Sequence, residues 1–288
     1  MTLYEAYCFG EQELKNRNIE DASLDAWYLL EFATGISRAR YYSDKDHIIS
    51  AIQIEKYQEY IKRRASYIPL QHITGVQEFM GLEFEVNGHV LIPRQDTEVL
   101  VETILDHCNK KKFLNIRILD MCTGSGCILI SLLRILEKRN ATGVGSDVSG
   151  EALAVAKKNA VKNQVEMKAA FVESDLFDRI EGTYDIIVSN PPYIRTNVIE
   201  DLQTEVKMHD PWIALDGKED GLYFYRKIIK DSTKYLRENG WLFFEIGYNQ
   251  AEEVISLMEK EQYINISVKK DLAGLDRVVC GVYNKAKK

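Results

Sequence analysis

The sequence predicts an α/β protein, in which a doubly wound, mostly parallel seven-stranded sheet follows a small N-terminal helical domain and a linking β-hairpin. Three observations predict it. From about residue 116 onward, apolar runs of strand length alternate with amphipathic stretches, and most of the runs end in a Gly- or Asp-containing loop. Before that, apolar residues recur at three- and four-residue spacing, the period of a helix. The last two apolar runs succeed one another with no helix between them, which calls for a closing antiparallel pair.

In chain order, residues 2–65 read as helical. Leu24, Trp27, Tyr28, Leu30 and Phe32 form one apolar stripe, and Ile48, Ile52, Tyr57 and Ile61 form another, with Gly35 as a C-cap between them. No catalytic grouping falls in these helices. Pro69 ends the helical pattern, since it fixes φ and supplies no N–H. The stretch EFMGLEFEV, the turn pair Asn87-Gly88 and HVLI then read as a β-hairpin. A helix over 97–107 leads into strands expected at 116–120, 141–147, 168–173, 184–189 and 241–246. Helices are expected at 127–138, 150–163 and 221–236, and the closing pair at 264–269 and 278–283. The division into domains is accordingly 1–70 helical, 71–95 linking hairpin and 96–288 sheet domain.

Composition narrows the function classes. With 288 residues, of which 45% are hydrophobic and 28% charged, the chain can bury a sizeable core and exceeds one average domain. A net charge of −7 and the lack of a Lys/Arg-rich segment argue against bulk DNA or RNA binding. Cys8, Cys108, Cys122, Cys127 and Cys280 form no CxxC pair and no zinc-type spacing, so neither a disulfide framework nor a metal site is expected. The N-terminus lacks the basic and apolar regions of a signal peptide, and no run has the length of a membrane span; a cytoplasmic protein is expected.

In a doubly wound sheet, ligands lie outside the C-terminal ends of the strands, so the residues after each strand are the candidates. After the first comes Cys122-Thr123-Gly124-Ser125-Gly126, whose glycines allow a sharp turn and a bare backbone at a helix N-terminus. After the second come Asp147 and Val148, the acid placed to accept from the hydroxyls of a ribose, or else to cap the next helix, which Ser149 could do equally well. Asp175 and Leu176 come after the third, where a carboxylate and an apolar side chain suit an adenine amino group and ring. After the fourth comes Asn190-Pro191-Pro192-Tyr193, where two prolines stop the ladder and hold the carbonyl directions.

Together, these four segments resemble the class I S-adenosylmethionine-dependent methyltransferases, whose sheet is Rossmann-like. An amide-type nitrogen is a poor nucleophile because its lone pair is delocalised. The Asn190 side-chain oxygen and the Pro191 carbonyl can each accept one N–H of a planar NH₂ and turn the nitrogen's lone-pair face toward the donor, with Tyr193 as an aromatic wall. NPPY alone leaves the acceptor open between an exocyclic base amine and a glutamine amide. The rest of the chain resembles the release factor glutamine methyltransferases (HemK/PrmC family) through PLQHITG, EFMGLEFEV, VLIPR, LDMCTGSG, SDVSGEAL, SDLF, VSNPPYI, ALDGKEDGL, FFEIG and DLAGLDRVV.

That resemblance implies methyl transfer from S-adenosylmethionine to N5 of the glutamine in the Gly-Gly-Gln loop of class 1 peptide chain release factors. It implies a substrate-recognising N-terminal domain, no direct DNA contact and no membrane. It places the cofactor on 122–126, Asp147, Val148, Asp175, Leu176 and Asn190, and the glutamine on Asn190 to Tyr193 with Arg94. The alternative is an N6-adenine or N2-guanine methyltransferase acting on DNA or RNA, which requires a basic groove for an extruded base. Four positions depart from the family pattern: Cys122 and Lys218 stand where glycine is common, and Gln95 and Asp96 replace Pro and Glu.

Overall fold

The computed structural model describes residues 1–111 and 114–284; Lys112, Phe113 and 285–288 of the expected 96–288 domain lie outside the described residues. The chain forms two compact units. One comprises Met1–Val76 with Gln203–His209, and the other Gln77–Leu202 with Asp210–Lys288.

The first unit contains α1 (Leu3–Lys15), α2 (Ala22–Thr34), α3 (Arg38–Ser43), α4 (Ala51–Ala65) and α5 (Leu70–Thr74). Thr2 and Ser50 open α1 and α4 with capping boxes, in which the cap hydroxyl takes the N3 N–H and the N3 side chain returns to the cap N–H. Gly35 caps α2 at φ 69°, as expected, and donates to the Glu31 carbonyl. Tyr57 of α4 reaches over Gly10, where any Cβ would collide with its hydroxyl. That hydroxyl donates to the Ala26 carbonyl at 3.2 Å, so one side chain ties three helices together.

The expected apolar stripes are only partly buried. Trp27, Leu30, Tyr57 and Ile61 are inside, whereas Leu24, Tyr28, Phe32, Ile48 and Ile52 are exposed. Ala22, Ala26 and Leu29 complete the buried face of α2 instead, since small residues let helices approach closely. Pro69 does not end the helical module. It opens α5, a position where its missing N–H costs nothing. The buried Arg64 holds Asp25 at 2.6 Å and Glu205 at 2.5 Å, which fastens Gln203–His209 to this unit.

The second unit begins with a hairpin, but not the expected one. Its strands are β1 (Val76–Phe79) and β2 (Leu82–Glu85), and Met80-Gly81 make the turn with φ of 53° and 71°. Two positive φ values in a two-residue loop define the type I′ turn, whose twist matches paired strands. Asn87-Gly88 does turn, with the Asn87 side chain accepting from the His89 N–H at 2.9 Å. No strand comes after it, and residues 89–93 run on as irregular chain ending in Pro93.

The order then runs α6 (Gln95–Lys111), β3 (Arg117–Met121), α7 (Cys127–Ile135), β4 (Thr142–Asp147), α8 (Gly150–Lys162), β5 (Ala169–Glu173) and β6 (Tyr184–Ser189). After β6 come α9 (Thr204–His209), which groups with the first unit, α10 (Trp212–Leu215), α11 (Tyr223–Ser232), β7 (Leu236–Glu245), α12 (Ala251–Lys260), β8 (Tyr263–Lys270) and β9 (Asp276–Tyr283). The sheet order is β5-β4-β3-β6-β7-β9-β8, parallel except for β9, which runs antiparallel to both of its neighbours. The expected helix over 221–236 stops at Ser232, because Leu236 already pairs with Tyr184 in the sheet. Residues of β3, β6 and β7 alternate between the two faces. Ile118, Ile186, Val188 and Phe243 pack with α6 and α7, while Leu119, Ile187, Leu242 and Phe244 pack with α11 and α12. Each such fully buried side chain contributes about 1.5–3 kcal/mol.

Candidate active site

The strand order reverses at β3, which lies between β4 and β6, and a crevice opens at such a reversal. The register places the candidate residues in one row. Met121 of β3 pairs with Ser146 of β4 and Ser189 of β6, so Cys122 leaves the sheet between Asp147 and Asn190. Asp147 pairs in turn with Glu173, just before Asp175. On the other side Ser189 pairs with Phe244, which brings Glu245 beside Asn190. Adjacent strands lie about 4.8 Å apart, so these residues from distant parts of the chain stand side by side.

The Gly-rich loop is fixed from both sides. Thr123 N–H donates to the Ser146 carbonyl at 2.9 Å, and its hydroxyl donates to Asp120 Oδ2 at 2.6 Å. Gly124 adopts φ 54°, and a Cβ there would meet nothing within 4 Å, which leaves open space against its backbone. Gly126 at φ 81° is required for another reason: its Cβ would lie 2.8 Å from Ile130 Cδ1 and 3.2 Å from Ala156 Cβ. Cys122 also sits in the left-handed region, at φ 61°. Burial, reinforced by the Asp147 charge, pushes its thiol well above the ordinary value, so it stays protonated.

Asp147 spans the loop head. Its Oδ2 accepts from Gly124 N–H at 2.9 Å and its Oδ1 from Ser149 N–H at 3.0 Å, while Ser149 itself caps α8. Burial raises its carboxyl pKa against the pull of those N–H groups. Each oxygen keeps a further lone pair for a ligand hydroxyl. Asp120, fully buried beneath the loop, is pushed up to about 7 by desolvation. Asn159 of α8 locks the loop from behind, donating to the Ser125 and Glu85 carbonyls at 3.0 Å each and accepting from Glu85 N–H at 2.7 Å.

Asn190 Nδ2 donates to the Thr97 hydroxyl at 3.4 Å, which fixes the sense of the carboxamide. Its Oδ1 remains an available acceptor, and among the described residues nothing donates to the Pro191 carbonyl. Tyr193 turns inward: its hydroxyl donates to Glu245 Oε1 at 3.3 Å, and its carbonyl accepts from Gln250 Nε2 at 3.1 Å.

A cavity of about 320 Å³ joins these parts. Of the expected residues, Cys122, Thr123, Gly124, Ser125, Asp147, Val148, Asp175, Leu176, Asn190, Pro192 and Arg94 line it. Gly126, Pro191 and Tyr193 are not among its lining residues. Tyr223 and Phe224 of α11 supply aromatic surface, and His89 to Ile92, expected as a strand, form another wall together with Pro93. Arg94 lines the rim and holds Asp210 at 2.6 Å. Among the described residues no group of three or more His, Cys, Asp or Glu could hold a metal ion. A bare glycine backbone, carboxylates at successive strand ends and an apolar wall suit a nucleoside carrying a cationic tail.

Comparison with known proteins is consistent with this geometry. A family model for the PrmC N-terminal domain matches residues 5–75, and one for the methyltransferase small domain matches residues 95–209. The chain is 38% identical over 285 residues to the release factor glutamine methyltransferase of Caulobacter vibrioides, covering 99% of this chain and 97% of that protein. To the Geobacter sulfurreducens protein of the same name it is 39% identical over 269 residues, covering 93% and 92%. Among solved structures, a methyltransferase from Pyrococcus furiosus matches with a TM-score of 0.51 at 14% identity, over 71% of this chain and 90% of that one, a likeness of fold.

Proposed function

This chain belongs to the release factor glutamine methyltransferase family, and from that premise we propose that it methylates N5 of the glutamine in the Gly-Gly-Gln loop of class 1 peptide chain release factors, with S-adenosylmethionine as donor. The observation that carries the reading is the Asn190 carboxamide, whose nitrogen is taken by Thr97 and whose oxygen is left to accept at the cavity. An acceptor oxygen suits a planar NH₂ and repels a carbonyl. Bound in the cavity, S-adenosylmethionine supplies a sulfonium-activated methyl group.

The chain's residues hold and aim. Cys122 to Gly126 offer backbone, Asp147 accepts from the ribose, Asp175 and Leu176 take the adenine, and Asn190 Oδ1 with the Pro191 carbonyl hold the two N–H groups of the glutamine amide. Positioning of this kind accounts for much of the rate when the donor is already activated. The test is to incubate the protein with labelled S-adenosylmethionine and, separately, release factor and bulk nucleic acid, then map the label by peptide mass. Label on the Gly-Gly-Gln glutamine is expected; label on nucleic acid alone refutes the reading. Asn190→Ala is expected to bind cofactor normally and to lose at least about 100-fold in turnover.

A further inference from the structure

Behind Asn190 lies a buried polar group that the reaction as described leaves unused. Glu245, at the end of β7, is 2% exposed, and its Oε2 has no hydrogen-bond partner among the described residues. Its Oε1 takes the Tyr193 hydroxyl at 3.3 Å, and Thr97 lies beside the carboxyl. Thr97 is itself 3% exposed and comes from the first turn of α6, far from both in sequence. An isolated acid is expensive inside a core unless it does something for its neighbours.

The hydroxyl of Thr97 accepts from Asn190 Nδ2 and still has its own proton to give. The Glu245 carboxyl is placed to take it. We propose that Thr97 and Glu245 are positioning residues for methyl transfer: Thr97 holds the Asn190 carboxamide with its oxygen toward the acceptor amide, and Glu245 holds both Thr97 and Tyr193. The inference rests on the functional reading above and deepens it. Without the Thr97 acceptor, the Asn190 amide is free to rotate by half a turn and present Nδ2, a donor, to an NH₂ group that also donates. That orientation repels the substrate.

Gln250 completes the brace, and Arg277 pins Asp96 in the first turn of α6. Gln250 Nε2 donates to the Tyr193 carbonyl at 3.1 Å and to the Gly221 carbonyl at 3.3 Å, while its Oε1 takes the Gly247 N–H at 3.0 Å. Arg277 is fixed by Asp271 at 3.0 Å and Asp96 at 3.3 Å. Main chain and side chains of the NPPY segment are thus held from α6, β7 and the start of α12.

The test compares wild type, Thr97→Val, Thr97→Ser, Glu245→Gln and Thr97→Val/Glu245→Gln, with release factor as substrate and cofactor affinity measured separately by calorimetry. Thr97→Val keeps the shape and removes the hydroxyl. It is expected to lower kcat by about 10–100-fold while the cofactor Kd stays within about twofold, and Thr97→Ser is expected to restore most of the loss. Glu245→Gln is expected to lower kcat in the wild-type background and to add little in the Thr97→Val background. Thr97→Val turning over within about twofold of wild type overturns the inference, as does a loss that Thr97→Ser does not repair. If Thr97→Val does not fold, Thr97→Ser and Glu245→Gln alone decide: near-wild-type kcat for Glu245→Gln overturns it. Absence of wild-type turnover on release factor overturns the functional reading itself, and the inference with it.

Discussion

Removing the Asn159 side chain probes how the cofactor loop is held. This residue is fully buried in α8 and makes three hydrogen bonds, two of them to β2 and one to the Ser125 carbonyl inside the Gly-rich loop. Each is worth about 1 kcal/mol net, and the Ser125 carbonyl is left buried without a partner, so Asn159→Ala should cost about 3–4 kcal/mol. For a unit of this size that lowers Tm by roughly 6–16 °C. Loss of one loop anchor worth about 1 kcal/mol should also weaken cofactor binding about fivefold. Asn163 provides the contrast. Its Nδ2 reaches the Glu83 carbonyl at 3.1 Å in an exposed position, where water can replace it, so Asn163→Ala should cost under about 1 kcal/mol. Thermal unfolding monitored by circular dichroism, with and without S-adenosylhomocysteine, measures both effects. An Asn159→Ala loss no larger than that of Asn163→Ala would refute the assignment of the loop's anchorage to this side chain.

Three further outcomes concern the same site. Burial raises Glu245 from an ordinary 4.5 to about 7, so the folded state holds its proton more tightly than the unfolded one; the resulting stability is full below about pH 4.5 and is lost as pH rises through about 7. That share is about 3 kcal/mol, and Glu245→Gln should flatten the decline in denaturation free energy between pH 5 and 8; an unchanged slope contradicts it. Cys122 at φ 61° carries a left-handed strain of about 1–2 kcal/mol that glycine avoids, against about 0.5–1 kcal/mol of added chain entropy, so Cys122→Gly should raise the urea midpoint slightly. Lys218, at φ 72°, also pairs with Asp216 at 2.8 Å, so Lys218→Gly loses as much as it gains and should be near neutral.

Local sequence identifies the residues that close each strand but not which strands lie side by side. Cys122, Asp147, Asp175 and Asn190 are legible because each ends an apolar run, and the rule about strand ends applies to each separately. Thr97 and Glu245 are not, because their importance lies in where they sit relative to Asn190. Glu245 is a single polar residue closing the apolar run FFEIG, and only the Ser189 to Phe244 register brings it next to the NPPY segment. The misplaced hairpin turn has the same origin. Met80 has no local reason to adopt φ 53°, and Asn87-Gly88 is by composition the better turn. Glu98 changes the balance: its carboxylate takes the Met80 N–H at 2.6 Å, a charge-assisted bond made from the first turn of α6. With the turn fixed there, β2 ends at Glu85, and the chain from His89 to Pro93 is released from the ladder to line the cavity. The strand expected from local alternation is therefore given up in favour of a wall of the binding site, and the contact responsible for that exchange comes from one of the helices that the sequence did place correctly.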